Sequence, residues 1–367
     1  MTVEAAAPVP ASASTVASSW PELIGTLLAG ESLSRGQTAW AMDQIMAGAA
    51  SHAQIAGLAV GLRAKGETAA EIGGLIEAML AHAAPLRVPD ETRARAVDTC
   101  GTGGDRSNTV NISTMAALVV AGAGVPVIKH GNRAASSSCG SADLLAELGV
   151  VVDLPPAGVE ESLAAAGIAF CFARIFHPAF RHVAVPRSDL GVPTAFNILG
   201  PLTNPAGPGS QAIGVADPRL APVVAQVLAD RGTRALVFRG DDGLDELTPV
   251  TTSTVWVVGA ADQPRRERFD PRDVGIHVPD VALLRGADAP HNAAVARRVL
   301  AGEPGPVRDA VLLAAAAALV AAGGPTTAPV AEQIAAALPA AADALDSGAA
   351  GRVLAGWVDA SQAAARS

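Results

Sequence analysis

The sequence predicts an α/β protein: a small N-terminal helical domain, then a larger α/β domain with a mainly parallel central sheet flanked by helices. Two observations lead to this. Residues 19–84 carry four helix-start signatures, each followed by apolar residues at helical spacing. After Arg95, short apolar runs of strand length alternate with helical stretches, the order that crossover-connected parallel strands require.

Taken in order, residues 1–18 are rich in Ala, Ser and Pro and lack the basic start and apolar core of a signal peptide. They are expected to form a disordered tail. Ser19-Trp20-Pro21-Glu22, Ser34-Arg35-Gly36-Gln37, Ser51-His52-Ala53-Gln54 and Thr68-Ala69-Ala70-Glu71 are capping-box patterns. In each, the hydroxyl can accept a first-turn N–H while the acid or amide reaches back to the cap. Apolar stripes follow, such as Leu23, Leu27 and Leu28, or Ile72, Leu75, Ile76 and Met79. Gly30, Gly48 and Gly66 stand where the first three helices should stop, and Pro85 ends the fourth. The helical domain is read as residues 19–90.

Candidate strands are Ala96–Thr99, Val125–Ile128, Val150–Asp153, Ile168–Phe172, Gln211–Val215, Ala235–Arg239 and Thr254–Val258. Helices are expected between them, notably Gly158–Ala166 and Pro218–Asp230. From Phe176 to Pro208 the alternation stops and Pro and Gly become dense. The insertion 173–207 is expected to leave the sheet and pack on the helical domain, so the α/β domain is read as residues 91–172 and 208–367. From Val281 onward the chain reads as helices covering the sheet. The Ala-rich stretch Val311 to Gly324 is read as a buried helix rather than a membrane span.

Composition narrows the function classes. Half of the 367 residues are hydrophobic, enough to bury a large core. Aromatic residues make up 3%, with no tyrosine, and the formal charge is −9. Both disfavour nucleic-acid binding, which draws on stacking platforms and basic surfaces. Cys100, Cys139 and Cys171 show no zinc spacing and read as reduced thiols of a cytoplasmic protein. In so acidic a chain, a phosphate ligand would need local basic groups or a metal.

The chemistry concentrates between Asp98 and Gly149. The first apolar run breaks into Gly101-Thr102-Gly103-Gly104-Asp105, and a helix begins after Asn111-Ile112-Ser113-Thr114. The second breaks into Lys129-His130-Gly131-Asn132-Arg133-Ala134-Ala135-Ser136-Ser137, with a helix from about Ser141. Loops that leave parallel strands and open helices present N–H groups and a positive dipole end to anions. Two in succession could hold two phosphate groups. The glycine run is neither a P-loop nor a dinucleotide fingerprint, and by itself it reads equally as a tight turn. Asn111 or Ser113 could be an ordinary cap. Lys129, His130 and Arg133 add basic character to the second loop.

Asp241-Asp242-Gly243-Leu244-Asp245-Glu246 places four carboxylates in six residues after a strand. Oxygen donors of this kind suit Mg²⁺ bridging to a pyrophosphate, though a solvated acidic hairpin fits the residues as well. Arg187 lies in the insertion, where it could be a surface ion-pair former or could grip a carboxylate bidentately.

These motifs, with Gly140-Ser141-Ala142-Asp143, the run from Phe196 to Pro205 and Asp245-Glu246-Leu247-Thr248, resemble the anthranilate phosphoribosyltransferase family from about Trp20 to Trp357. The resemblance implies a nucleoside phosphorylase/phosphoribosyltransferase-like fold and a Mg²⁺-dependent cytoplasmic homodimer of tryptophan biosynthesis. The implied substrates are anthranilate and 5-phosphoribosyl 1-pyrophosphate, and no nucleic acid or membrane is involved. It implies that Gly101, Gly104, Asp105, Thr109, Asn111, Ile112, Ser113, Thr114, Lys129, His130, Gly131, Asn132, Arg133, Ala134, Ala135, Ser136, Ser137 and Ser141 contact the pyrophosphate substrate. Ser113, Asp245 and Glu246 would ligate Mg²⁺, and Gly101, Asn132 and Arg187 would face anthranilate. Arg174 stands where the family has proline after Phe-Ala, and Pro186 where valine precedes the arginine.

No nucleophile or strong base is expected, because an aromatic amine is already neutral at pH 7. Catalysis would rest on positioning and on electrostatic support of the departing pyrophosphate. Two alternatives are a pyrimidine nucleoside phosphorylase-like enzyme and a non-catalytic nucleic-acid-binding relative. The retained Asp245-Glu246 pair and the acidic charge speak against the second.

Overall fold

The structure is a computed structural model that describes residues 18–134 and 138–366. The expected tail, apart from Ser18, therefore lies outside the described residues, as do Ala135, Ser136 and Ser137.

Four helices open the chain: α1 (Trp20–Leu28), α2 (Arg35–Met46), α3 (His52–Lys65) and α4 (Ala69–Ala81). Each starts one residue after its predicted cap. Ser34, Ser51 and Thr68 form reciprocal capping boxes with Gln37, Gln54 and Glu71, whereas Ser19 only accepts the Glu22 N–H. Glu71 does more than cap. Its buried carboxylate also accepts the Leu33 N–H at 2.8 Å and pairs with Lys65 Nζ at 2.9 Å, tying three helix ends together. Where α2 crosses α4, a Cβ on Gly74 would stand 2.1 Å from the Arg35 carbonyl oxygen, so the crossing requires glycine.

Seven strands form one sheet: β1 (Val97–Gly101), β2 (Val127–Gly131), β3 (Ile168–Phe172), β4 (Ser210–Gly214), β5 (Arg234–Gly240), β6 (Ser253–Val258) and β7 (Arg265–Phe269). Their order is β3-β2-β1-β4-β5-β6-β7, with β1 to β5 parallel and β6 and β7 antiparallel. The chain winds outward from β1 to β3 on one side and from β4 to β7 on the other. The reversal between β1 and β4 opens a crevice at the strands' C-terminal ends, where ligands of open α/β sheets bind.

Two expectations are corrected, and one strand had not been expected. Val150–Asp153 is not a strand. Val150 and Val152 are buried, but the Val151 N–H donates to Ser361 Oγ in the last helix, so the run lines a helix rather than pairing with a strand. β7 escaped prediction because Arg265-Arg266-Glu267-Arg268 carries charges, which an edge strand tolerates and a buried strand does not. β1 and β2 both run on to a terminal glycine, which places Lys129, His130 and Gly131 inside β2 rather than in a loop.

One face of the sheet is covered by C-terminal helices, among them Pro306–Gly323. This is the one described helix long and apolar enough to cross a membrane, yet Ala310 to Ala318 is buried against the sheet. The other face shares a core with α1 to α4 and the insertion, whose Val183, Phe196, Leu199 and Leu202 pack into it.

Candidate active site

The crevice is built on close contacts that only glycine permits. Gly101 and Gly214 are register partners at the ends of β1 and β4. A Cβ on Gly101 would lie 2.3 Å from Asp245 Oδ2, and one on Gly214 would lie 1.7 Å from the Asp245 carbonyl oxygen. The acidic turn therefore packs directly against both strand ends. Asp245 Oδ2 accepts the Gly103 N–H at 2.7 Å, fastening the start of the loop that follows. That loop turns through left-handed backbone at Gly103, Gly104, Arg106 and Asn108. It is fastened again at its far end, where the Val110 N–H donates to Leu284 O at 2.9 Å and Thr109 bridges to Arg285.

Three carboxyls gather here. Burial, and then the neighbouring Asp105, pushes Asp245 up to about 7, while burial and Asp245 push Glu246 well above the carboxylate range. Lys129 opposes the shift of Glu246. The expectation that Lys129 is a loop cation is corrected: it is 2% exposed, and its Nζ donates to the Thr99 carbonyl and to Ser113 Oγ. Burial lowers its pKa while Asp98 pulls the other way. Asp98, pushed up to about 6 by burial, accepts the His130 N–H and Asn204 Nδ2. Lys129 is thus the charged floor of the crevice, lying between Ser113 and the acidic turn.

A second wall belongs to the insertion. A cavity of about 660 Å³ is lined by Gly101, Thr102, His130, Asn132, Phe180 and Arg187, among others. His130 Nδ1 bonds the Gly200 carbonyl at 2.8 Å, which fixes the proton on Nδ1 and leaves Nε2 a buried acceptor without a donor among the described residues. Burial and the edge-on His177 ring hold its pKa down at about 3, so the imidazole is neutral. Arg187 stands 5.7 Å from the Phe180 ring centre, and burial lowers its pKa. No carboxylate pairs with it among the described residues. Pro186 causes no break, because it falls in the first turn of the helix Ala184–Leu190, where N–H groups lack partners anyway.

Other expected residues serve the framework. Arg133 pairs with Asp143 at 2.7 Å, and that carboxylate also accepts the Ala134 and Gly140 N–H groups. Ile112 and Thr114 are buried, so their side chains face the core. Ser141 Oγ donates to the Asn132 carbonyl at 3.2 Å. The sequence reading gave Gly214 and Phe180 no role. Gly214 had one legible signal, a glycine near the end of the run Gln211–Val215, while its place beside Gly101 is set by the sheet's register. Phe180 had none, because its place depends on how the insertion folds over the cleft.

The residues present suit Mg²⁺. No three His, Cys, Asp or Glu side chains form a ready cage among the described residues. Mg²⁺ does not need one, since it keeps waters and binds through one or two carboxylates plus substrate phosphates. The half-buried Asp245 and Glu246 are hard oxygen donors in a place that disfavours their unpaired charge.

A mainly parallel sheet opening its strand ends toward a helical bundle defines a class, the glycosyl transferases of one family. The description "Glycosyl transferase family, a/b domain" matches residues 93–351, and its "helical bundle domain" matches residues 21–83. Within it, the chain belongs to the anthranilate phosphoribosyltransferase family. An anthranilate phosphoribosyltransferase of Frankia alni is 80% identical over 360 residues, covering 95% of this chain and 98% of that relative. One from Streptomyces griseus is 60% identical over 350 residues, covering 95% and 97%. Among solved structures, the enzyme from Thermus thermophilus superposes with a TM-score of 0.85 at 42% identity, covering 93% of this chain and 99% of that one. The Saccharomyces cerevisiae enzyme, solved in complex with PRPP and Mg, gives 0.83 at 26% identity, covering 94% and 98%.

Proposed function

We propose that this chain transfers the phosphoribosyl group of 5-phosphoribosyl 1-pyrophosphate to the amine of anthranilate in a Mg²⁺-dependent reaction, giving N-(5-phosphoribosyl)anthranilate and pyrophosphate. The observation that carries this reading is Arg187, a half-buried guanidinium without a carboxylate partner among the described residues. It lines the same cavity as Gly101 and Thr102 of the glycine loop. An aromatic carboxylate that stacks and ion-pairs there would lie beside a donor held by the strand-end loops.

In this reading the loop from Gly101 to Thr109, the Asn111–Thr114 turn, the end of β2 with Asn132 after it, and Ser141 hold the donor. Asp245 and Glu246, with Ser113 from the other side of Lys129, would hold Mg²⁺, which when bound offsets pyrophosphate charge. Buried Lys129 keeps the floor positive without being spent on a surface pair. Arg187 and Asn132 orient the acceptor, so that its neutral amine meets the ribosyl carbon from one direction. As the pyrophosphate leaves, N–H groups fixed in advance support its charge without having to reorganise. The reading also assigns the chain to tryptophan biosynthesis, as a cytoplasmic homodimer.

Incubation with anthranilate, phosphoribosyl pyrophosphate and Mg²⁺, followed by mass spectrometry, should show N-(5-phosphoribosyl)anthranilate and pyrophosphate in equal amounts. Phosphate-dependent splitting of a pyrimidine nucleoside in place of that product would overturn the reading. Light scattering during size-exclusion chromatography tests the dimer.

A further inference from the structure

Three segments meet at Asn292, which is 2% exposed near the start of the helix Ala289–Leu300. Its Oδ1 accepts the Ala287 N–H at 2.9 Å, and its Nδ2 donates to Asn111 Oδ1 at 3.0 Å. Asn111 Nδ2 donates in turn to the Cys139 carbonyl at 3.0 Å. This chain of bonds links the helical layer behind the sheet, the start of the helix Ile112–Gly122, and the end of the loop that follows β2. Packing leaves it little freedom, since a Cβ on Gly286 would stand 2.9 Å from Asn292 Oδ1.

Both ends of the Asn111 amide are therefore committed to the protein. A side chain held in this way is a brace, and its worth lies in where it puts the backbone around it. The backbone on one side is the turn at Ser113, and on the other it is Cys139 and Gly140, whose N–H donates to the same Asp143 oxygen as that of Ala134. Those are the two loops assigned to the donor, and no residue of this chain of bonds is among those lining the cleft beside Arg187.

We propose that Asn292 is a positioning residue for phosphoribosyl pyrophosphate, setting the spacing between the two strand-end loops through Asn111. The proposal rests on the donor site described above, and it predicts an effect on the donor and not on the acceptor.

The test uses Asn292→Ala and the isosteric Asn292→Asp. In Asn292→Asp, the second oxygen faces Asn111 Oδ1, and turning the Asn111 amide over only moves the clash to the Cys139 carbonyl. Calorimetric titration of the intact protein with phosphoribosyl pyrophosphate and Mg²⁺ should show about tenfold weaker binding in both variants, with the anthranilate KM within about twofold of wild type. Unchanged donor affinity would overturn the proposal. So would equal weakening of both substrates, or failure of both variants to fold, since either makes the network structural only. Wild-type protein that binds no donor in the same titration would instead overturn the functional reading on which the proposal rests.

Discussion

Asp245 Oδ2 accepts the amide N–H of Gly103 at 2.7 Å, joining a carboxylate of the acidic turn to the glycine loop 142 positions earlier. The residue proposed to hold Mg²⁺ therefore also sets where the phosphate-facing loop begins. Gly101 makes this possible by leaving space for the carboxylate.

Gly101→Ala and Gly214→Ala should fail in different ways. The methyl of Gly101→Ala meets the end of a side chain, so Asp245 can swing aside while the sheet survives. Activity should then fall by the loss of one charge-assisted bond, about 1.5–3 kcal/mol. The methyl of Gly214→Ala meets backbone, and overpacking of that kind costs roughly 1–3 kcal/mol of stability or more. Urea melts beside kinetic assays separate the two, and equal stability losses would contradict the geometry.

Lys129→Met keeps the length of the side chain and removes its charge. Asp98 and Glu246 would lose their buried cation, and the Thr99 carbonyl its donor, so stability should fall by roughly 1–3 kcal/mol alongside weaker donor binding. Wild-type denaturant stability with weakened donor binding would return Lys129 to the role of a mobile phosphate ligand.

His130 predicts a pH dependence. Its folded pKa, about 3, lies below its ordinary 6.5, so between those values the unfolded chain binds a proton that the folded one refuses. Its contribution is complete above pH 6.5 and is lost on acidification toward 3, at about 1.4 kcal/mol per pH unit. Asp98 acts in the opposite sense between 3.8 and about 6, because there the folded state holds the extra proton. Comparison with His130→Asn, which keeps a donor for Gly200, isolates the histidine. The variant should lose less melting temperature than wild type between about pH 7 and pH 4.5. Parallel curves would mean that His130 titrates normally.

Arg187→Lys keeps a charge but loses the planar fork and the stacking on Phe180. The anthranilate KM should rise about tenfold, and further in Arg187→Ala, while the donor KM stays nearly constant. Wild-type KM values for anthranilate in both variants would move the acceptor site elsewhere.

Much of this was legible because its causes are local. A hydroxyl three residues before an acid or amide defines a helix start, and all four bundle helices begin where Ser19, Ser34, Ser51 and Thr68 indicate. The glycine loop and the acidic turn could each be read, but not their contact, because the Gly103–Asp245 bond belongs to the sheet's topology. Lys129 was misplaced because a lysine reads as a strand end, whereas here Asp98 and two oxygen acceptors support it inside β2. Val150–Asp153 misled for the same kind of reason: burial by a helix leaves the same apolar signature as burial in a sheet.

The most direct test of the account follows the fluorescence of anthranilate as phosphoribosyl pyrophosphate and Mg²⁺ are added separately and then together, with wild type and with Asp245→Asn/Glu246→Gln. The account predicts loss of fluorescence in wild type only when both are present, and a much higher Mg²⁺ requirement with slower turnover in the double variant, whose fold survives. Fluorescence that stays constant in wild type with all components present, or a double variant matching wild type at limiting Mg²⁺, would contradict it.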